Sequence, residues 1–361
     1  MPTASPPTSG PAEQRLHPTV FTPLLTDRLC IRPVRPTDAE ALAARRNDPS
    51  VAEFQTWVPP YTLEQAEALV AETGSIDGPT DDAWWMATVT AADDDATILG
   101  DVVVRLGWNG RTAEIGYSLA RDAWGHGYAV EAASALVEYL FTELGVHRVE
   151  GMLHPDNRAS AMVLERVGML FEGHTKGSFW VGDVVSDDWL YGMTRTEWEA
   201  WRDRARARPD IVDLVEIDDA NLDDTLRVAT HGSQRDMVAP VSISLGEALV
   251  ASTATDGRVR SPWFRAVRAD DVIVGFVMLD RAGERESYLW RLVVDRMHQR
   301  RGIGRRVLDL VVEQSRSWGD TSMTVSWVPG KGSPEPLYLA RGFVPTGLEH
   351  DGELQGRLVF D

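Results

Sequence analysis

The sequence predicts an α/β chain with mixed sheets, built as two tandem copies of one domain. Three observations predict it. The length, 361 residues, is more than twice the ~150 residues of a typical domain. Strand-like and helix-like runs alternate through both halves in the same order. A glycine spacing also recurs: Gly100, Gly127 and Gly168 stand 27 and 41 residues apart, and Gly275, Gly302 and Gly342 stand 27 and 40 apart. Two matching gaps with matching local texture point to an internal repeat.

Residues 1–20 are rich in Pro, Thr and Ser and are expected to be a disordered tail. They lack the apolar segment of a secretory signal. The first copy, residues 21–200, opens with a strand (LCIRPV) and an Asp-capped helix (PTDAEALAARR). The β-rich runs AWWMATV and TILGDVVVRL follow, then the strand AEIGYSL and a glycine loop. Val130, Ala133, Val137, Leu140 and Leu144 recur at 3–4 spacing, so an amphipathic helix comes next. The copy closes with strand, helix, strand, strand. Residues 201–210 are polar and Arg-rich and end in Pro-Asp, which predicts a linker. The second copy, residues 211–361, repeats the order: IVDLVEI, DDANLDDTLRVA, PWFRAVR, DVIVGFVMLD, YLWRLVV, a glycine loop, and a helix carrying Val307, Leu308, Val311 and Ser315.

Hydrophobic residues make up 43% and charged residues 25%, an ordinary globular composition. The net charge of −19 argues against nucleic acid as a partner and is compatible with cationic substrates. No apolar run reaches membrane-spanning length, so no membrane partner is expected. The single cysteine, Cys30, cannot form an internal disulfide; a reducing cytoplasm and a buried structural thiol are expected. The histidines show no metal-ligand spacing, and no metal is expected.

The chemistry is concentrated in QRRGIG, residues 299–304. Gly302 and Gly304 permit positive φ and close approach of a ligand. The loop runs into a helix, so its free N–H groups and the helix dipole favour an anion. Arg300, Arg301 and Arg305 add positive charge in an otherwise acidic chain. Neither a Walker loop nor a G-x-G-x-x-G fingerprint is present.

Gln299-Arg300-Arg301-Gly302-Ile303-Gly304 resembles the Q/R-x-x-G-x-G/A signature of the GNAT superfamily of N-acetyltransferases. Trp124-Gly125-His126-Gly127-Tyr128-Ala129 resembles it in the first copy, with Trp in place of Gln/Arg and His126 where the second copy has Arg301. The resemblance spans nearly everything from about residue 24 onward. It implies, for each domain, a mostly antiparallel central sheet flanked by helices. It also implies acetyl-CoA as co-substrate, with its pyrophosphate at these loops. Pantetheine would bond strand backbone at Ser118 and Leu119 in the first copy, and at Val293 and Val294 in the second.

Amine acetylation needs a neutral nucleophile, yet an alkylamine of pKa ~10.4 is only about 0.1% neutral near pH 7.4. Positioned proton carriers therefore matter. Tyr338, four residues before Gly342, resembles the Y-x-x-x-G-F box whose tyrosine protonates the CoA thiolate; a core or capping role is the other reading. Glu286 is a candidate base through water, or an exposed turn residue. The first copy has Leu164 at the tyrosine position. Its NRASAMVLERVGM instead resembles the Rim-type acetyltransferases of ribosomal proteins, which implies Ser160 near the sulfur. Asn157 would hold the cofactor or cap the helix, and Glu114 would be a general base or an edge-strand glutamate.

The ending FVPTGLEHDGELQGRLVF resembles spermine/spermidine-type acetyltransferases. There Glu349, Asp351 and Glu353 would face a polyamine or form an ordinary hairpin. Trp57, Trp84, Trp85, Trp180 and Trp189 are either cleft or core. The function these features predict is acetyl transfer to a primary amine: a polyamine, amino-sugar antibiotic, amino acid or peptide N-terminus. The alternatives are an acetyl-CoA-binding sensor or platform with one or both copies inert, and a tandem enzyme like the mycothiol synthases. Both monomer and homodimer fit the sequence.

Overall fold

The computed structural model describes residues 20–81, 83–250, 257, 259–281 and 285–360. Of the expected tail, residues 1–19 lie outside the described residues. The chain divides between Ala200 and Trp201 into two units.

In the first unit the strands are β1 (Leu24–Leu25), β2 (Leu29–Pro33), β3 (Trp85–Ala91), β4 (Ile98–Gly107), β5 (Thr112–Leu119), β6 (Arg148–Leu153), β7 (Leu170–Val181) and β8 (Val184–Thr194). The helices are α1 (Ala39–Arg46), α2 (Pro49–Ala52), α3 (Leu63–Gly74), α4 (Tyr128–Thr142), α5 (Arg158–Val167) and α6 (Arg195–Asp203). The sheet order is β1-β2-β3-β4-β5-β6-β8-β7. Its pairs are antiparallel except β5 with β6, which are parallel.

Alternation along the strands sends successive side chains to opposite faces. Ala113 and Ile115 go to one face, where α4 buries Ala133, Leu136, Val137 and Leu140 against them. Of the residues read at 3–4 spacing, Ala133, Val137 and Leu140 lie in that buried stripe, Val130 is half-buried, and Leu144 is buried just beyond the helix. Truncating Leu136 or Leu140 would cost about 2–5 kcal/mol. On the other face Leu42, Ala43, Ala66 and Val70 from α1 and α3 pack on Met86 and Val103. Asp38 does not cap α1 with its side chain. It instead accepts from Arg32 at 2.8 and 3.0 Å and from Thr88 at 2.7 Å, a buried charged cluster beneath the helix start.

The second unit contains β9 (Val212–Val215), α7 (Leu222–Arg227), α8 (Val241–Leu249), β10 (Pro262–Ala269), β11 (Val272–Asp280), β12 (Glu286–Val294), α9 (Ile303–Ser317), β13 (Ser322–Trp327), α10 (Glu335–Arg341), β14 (Val344–His350) and β15 (Glu353–Val359). The order is β14-β15-β13-β12-β11-β10-β9, again with one parallel pair, β12 with β13. α9 buries Ile303, Val307, Leu308 and Val311 on one face. Val228 and Val241 meet Phe276, Met278 and Val293 on the other. Residues 201–210 begin within α6, and Arg301 Nε donates to the Ala207 carbonyl at 2.7 Å. The Asp-Gly between β14 and β15 has φ of 51° and 80°, a two-residue hairpin turn.

The repeated glycines have a packing reason. A Cβ on Gly100 would stand 2.3 Å from the Ser118 carbonyl, and one on Gly275 2.4 Å from the Val293 carbonyl. No helix among the described residues is long and apolar enough to cross a membrane.

Candidate active site

Each unit contains one place where its sheet opens. β5 and β6 pair only from Thr112↔Arg148 to Glu114↔Glu150, and both strands then run on unpaired with each other. β12 and β13 pair only from Glu286↔Ser322 to Leu289↔Val325 before they part. The result in each unit is a slot with an unpaired strand edge as its wall. Backbone N–H and C=O groups there need partners, and a peptide-like chain can supply them.

Ladder alternation decides which groups face the slot. Ala120 N donates to the Leu99 carbonyl at 2.9 Å, and Asp295 N to the Val274 carbonyl at 2.8 Å. In an antiparallel ladder the bonded pairs recur at every second residue. Ser118 therefore bonds back to Asp101, and Val293 to Phe276, while Tyr117, Leu119, Leu292 and Val294 turn their backbone to the slot. Of the four strand positions expected to bond pantetheine, Leu119 and Val294 turn their backbone to the slot, and Ser118 and Val293 turn theirs to the neighbouring strand. The Ser118 hydroxyl is buried and has no hydrogen-bond partner among the described residues.

The glycine loops follow directly. Gly127 and Gly302 are the N-caps of α4 and α9, with φ of 82° and 81°, the left-handed region that glycine reaches without strain. The first backbone N–H groups of a 15-residue helix thus open beside each slot. Gln299 donates from Nε2 to the Val294 carbonyl at 3.1 Å. Trp124 donates from Nε1 to the Leu119 carbonyl at 2.9 Å. The Trp that departs from the signature therefore makes the same tie from loop to strand. Tyr128 stacks on His126 at 5.6 Å, and Arg28 lies 4.7 Å above its ring. Ala129 and Gly304 occupy the next position; a Cβ on Gly304 would meet Leu337 of α10 at 3.3 Å.

The two loops differ in charge. Arg300 and Arg305 are exposed beside the second loop and make no ion pair among the described residues. Arg301 is placed otherwise than the sequence suggested. Its guanidinium is buried, bonding the Ala207 carbonyl and, from Nη1, His298 Nδ1 at 2.8 Å. Ile303 is buried as well, in the core beneath α9. Burial, reinforced by Arg301, holds the His298 imidazole below its usual range against the pull of Asp295. At the first loop Gly125 (φ 81°) is open, Arg121 lies 4.6 Å over Trp124, and Arg28 is held by Glu131 at 2.5 Å.

Tyr338 is buried on α10, its ring 5.7 Å from Trp327 and 5.8 Å from Phe343. Burial pushes its phenol well above the usual range, and Tyr288 and Glu353 push it further. It therefore keeps its proton at neutral pH. Glu286 sits at the closed end of the parallel pair, bonded to Ser322 at 2.9 Å and to Arg357 at 3.0 Å. Glu349 and Asp351 are exposed in the hairpin.

In the first unit Glu114 stands on the last paired rung, but Arg105 Nη2 holds its carboxylate at 2.5 Å. Asn157 takes the capping role: its Oδ1 accepts from Ser160 N at 3.0 Å. Ser160 Oγ lies 2.9 Å from the hydroxyl of Tyr117, a residue the sequence reading passed over. Within EIGYSL, Tyr117 reads as one more alternating strand residue. Only comparison of the two copies in register singles it out. Trp85 and Trp189 are core, Trp57 lies under Arg46 at 4.2 Å, and Trp84 and Trp180 are exposed.

Residues 28–170 match the acetyltransferase (GNAT) domain, and residues 240–343 match the acetyltransferase (GNAT) family. Together they cover more than half of the chain. An uncharacterized N-acetyltransferase p20 of Bacillus licheniformis is 27% identical over 48% of this chain and 97% of its own length. A putative ribosomal N-acetyltransferase, YdaF, of Bacillus subtilis is 27% identical over 50% of this chain and 98% of its own. A solved acetyltransferase (GNAT family) from Bacillus anthracis is 26% identical over 48% of this chain and 98% of its own, with a TM-score of 0.43. Two opened sheets, each beside a glycine-capped helix, thus coincide with two matches to one family, and the chain belongs to the GNAT acetyltransferases as a tandem N-acetyltransferase.

Proposed function

We propose that the chain moves an acetyl group from acetyl-CoA to a primary amine by direct attack, with one acetyl-CoA slot in each unit. The observation that carries this reading is the parted parallel pair beside a left-handed glycine and a helix N-terminus, present twice. The residues present fit the cofactor. Strand edges at Tyr117 and Leu119, and at Leu292 and Val294, suit an amide-bearing pantetheine chain. The N–H groups at Gly125–Ala129 and Arg300–Gly304 suit a pyrophosphate, with Arg300 and Arg305 adding charge in the second unit.

When bound, acetyl-CoA supplies an activated thioester. In the second unit Tyr338 keeps its phenolic proton and presents it as a hydrogen-bond donor to the departing sulfur. Trp327 and Phe343 hold that ring and exclude water from it. In the first unit Ser160, one turn before the helix position that Tyr338 takes in the second, serves the sulfur, and Glu114, on the last paired rung and bonded to Arg105, serves the incoming amine. The acceptors fitting these surroundings are a peptide N-terminus for the Rim-like first unit and a small polyamine for the second. The similarity to a relative named a putative ribosomal N-acetyltransferase supports the former.

Spermidine is the probe for the second unit. Tyr338→Phe should lower kcat by about 10²–10⁴-fold and leave acetyl-CoA affinity by calorimetry within about twofold. An unchanged rate would remove Tyr338 from the mechanism.

A further inference from the structure

At two matched positions, one on the slot strand and one on the helix that follows, the two units exchange a tyrosine for a leucine. Gly100 pairs with Leu119 and Val102 with Tyr117; Gly275 pairs with Val294 and Val277 with Leu292. Tyr117 and Leu292 are therefore the same place on the slot strand. On the following helix, Leu164 and Tyr338 each stand four residues before a left-handed C-cap glycine, Gly168 and Gly342. Those two are also the same place. The first unit has tyrosine on the strand and leucine on the helix, and the second has the reverse. One turn earlier on the helix, the first unit has Ser160 where the second has Pro334.

The exchange is coupled to a bond. The Tyr117 hydroxyl lies 2.9 Å from Ser160 Oγ and 3.0 Å from the Ser160 carbonyl. This joins the β5 wall to the first turn of α5 just beyond the point where β5 and β6 part. Burial keeps the phenol protonated through neutral pH, with Ser160 pulling weakly the other way. The single phenolic hydrogen has two acceptors within reach. Negative charge growing in the slot draws the Ser160 hydrogen toward itself, and the phenolic hydrogen then belongs on Ser160 Oγ, since donors in such a chain polarise one another.

We infer that Tyr117 is the positioning residue of the first slot: it holds the Ser160 hydroxyl so that the serine hydrogen faces the departing sulfur, the task Tyr338 performs directly in the second slot. This rests on the acetyl-transfer reading above. The carbon–nitrogen bond forms as the carbon–sulfur bond breaks, the electron pair of the latter goes to sulfur, and the proton shed by the amine ends there. Tyr117 and Ser160 finish as they began.

The test needs no knowledge of the acceptor. The full chain is saturated with CoA, and thiol ionisation is followed by the ultraviolet absorbance of the thiolate across pH. Tyr117→Phe keeps the ring and should raise the pKa of one bound thiol by about one unit, a tenfold change in ionisation. Ser160→Ala should raise the same thiol, and the double variant should move it no further, because the two act as one unit. Tyr338→Phe should raise the other thiol only. A Tyr117→Phe titration identical to wild type, or additive shifts in the double variant, would overturn the role of Tyr117 and leave acetyl transfer standing. Failure of the wild-type chain to bind CoA would overturn the acetyl-transfer reading and this inference with it. Thermal melting of each variant checks the fold, since a purely structural tyrosine would lower Tm and leave the thiols alone.

Discussion

Arg300 holds φ at 65°, while its counterpart in the first loop is Gly125 at 81°. A non-glycine residue in the left-handed region costs about 1–2 kcal/mol. That strain is kept where an exposed guanidinium overlooks a helix N-terminus. Arg300→Gly should leave stability within about 1 kcal/mol, because relief of strain offsets the extra freedom of the unfolded chain. It should weaken acetyl-CoA binding in the second unit about two- to tenfold, readable by calorimetry. His298 gives a pH signature. Its Nδ1 accepts from Arg301, so the folded state holds a neutral imidazole with a depressed pKa. The unfolded chain then binds the extra proton once pH falls below about 6.5. Stability from this group is complete above that pH and is lost as pH drops toward the folded pKa. Urea unfolding of the second unit should show this decline, and His298→Asn should remove its share of it.

At the scale of elements, much was legible from sequence and some was not. The stripes on α4 and α9 and the closing order of strand, helix, strand, strand followed from periodicity, because burial acts on every residue of a face alike. The two glycine spacings reflect three repeated needs: tight approach of β4 to β5 and of β11 to β12 at Gly100 and Gly275, left-handed N-caps at Gly127 and Gly302, and left-handed C-caps at Gly168 and Gly342. Direction was not legible. Three arginines near one loop look equivalent in sequence, yet Arg301 turns inward because the Ala207 carbonyl, far away along the chain, needs a donor. Ladder phase was equally hidden, since only the observed bonds separate slot-facing Leu119 from inward-bonded Ser118. Trp124 looked like a defect in the signature and is a substitute: a ring N–H makes the tie that an amide makes in the other unit. Tyr117 could be noticed only with its opposite number Leu292 in register.

For the whole molecule, two slots in one chain make a countable prediction. Native mass spectrometry should find two acetyl-CoA molecules bound, and Gly302→Glu should leave one, because a side chain and a negative charge then occupy the left-handed cap of α9. Two molecules still bound in that variant would show that the loop of α9 is not a pyrophosphate site.

The slot wall has a consequence for how such a chain can change over generations. The groups it offers are main-chain ones, and a peptide N–H is the same beneath Tyr117 as beneath Leu292. Replacement of side chains along that edge therefore leaves its main-chain groups in place and alters only what the side chains themselves do, as at Tyr117. The two halves differ in charge, in the residue tying the loop, and in which wall carries a hydroxyl. Both nevertheless part their strands after a few rungs and cap the next helix with glycine. A chain that must keep such an edge has to keep its pairing register and a few glycines, and its other positions are open to change.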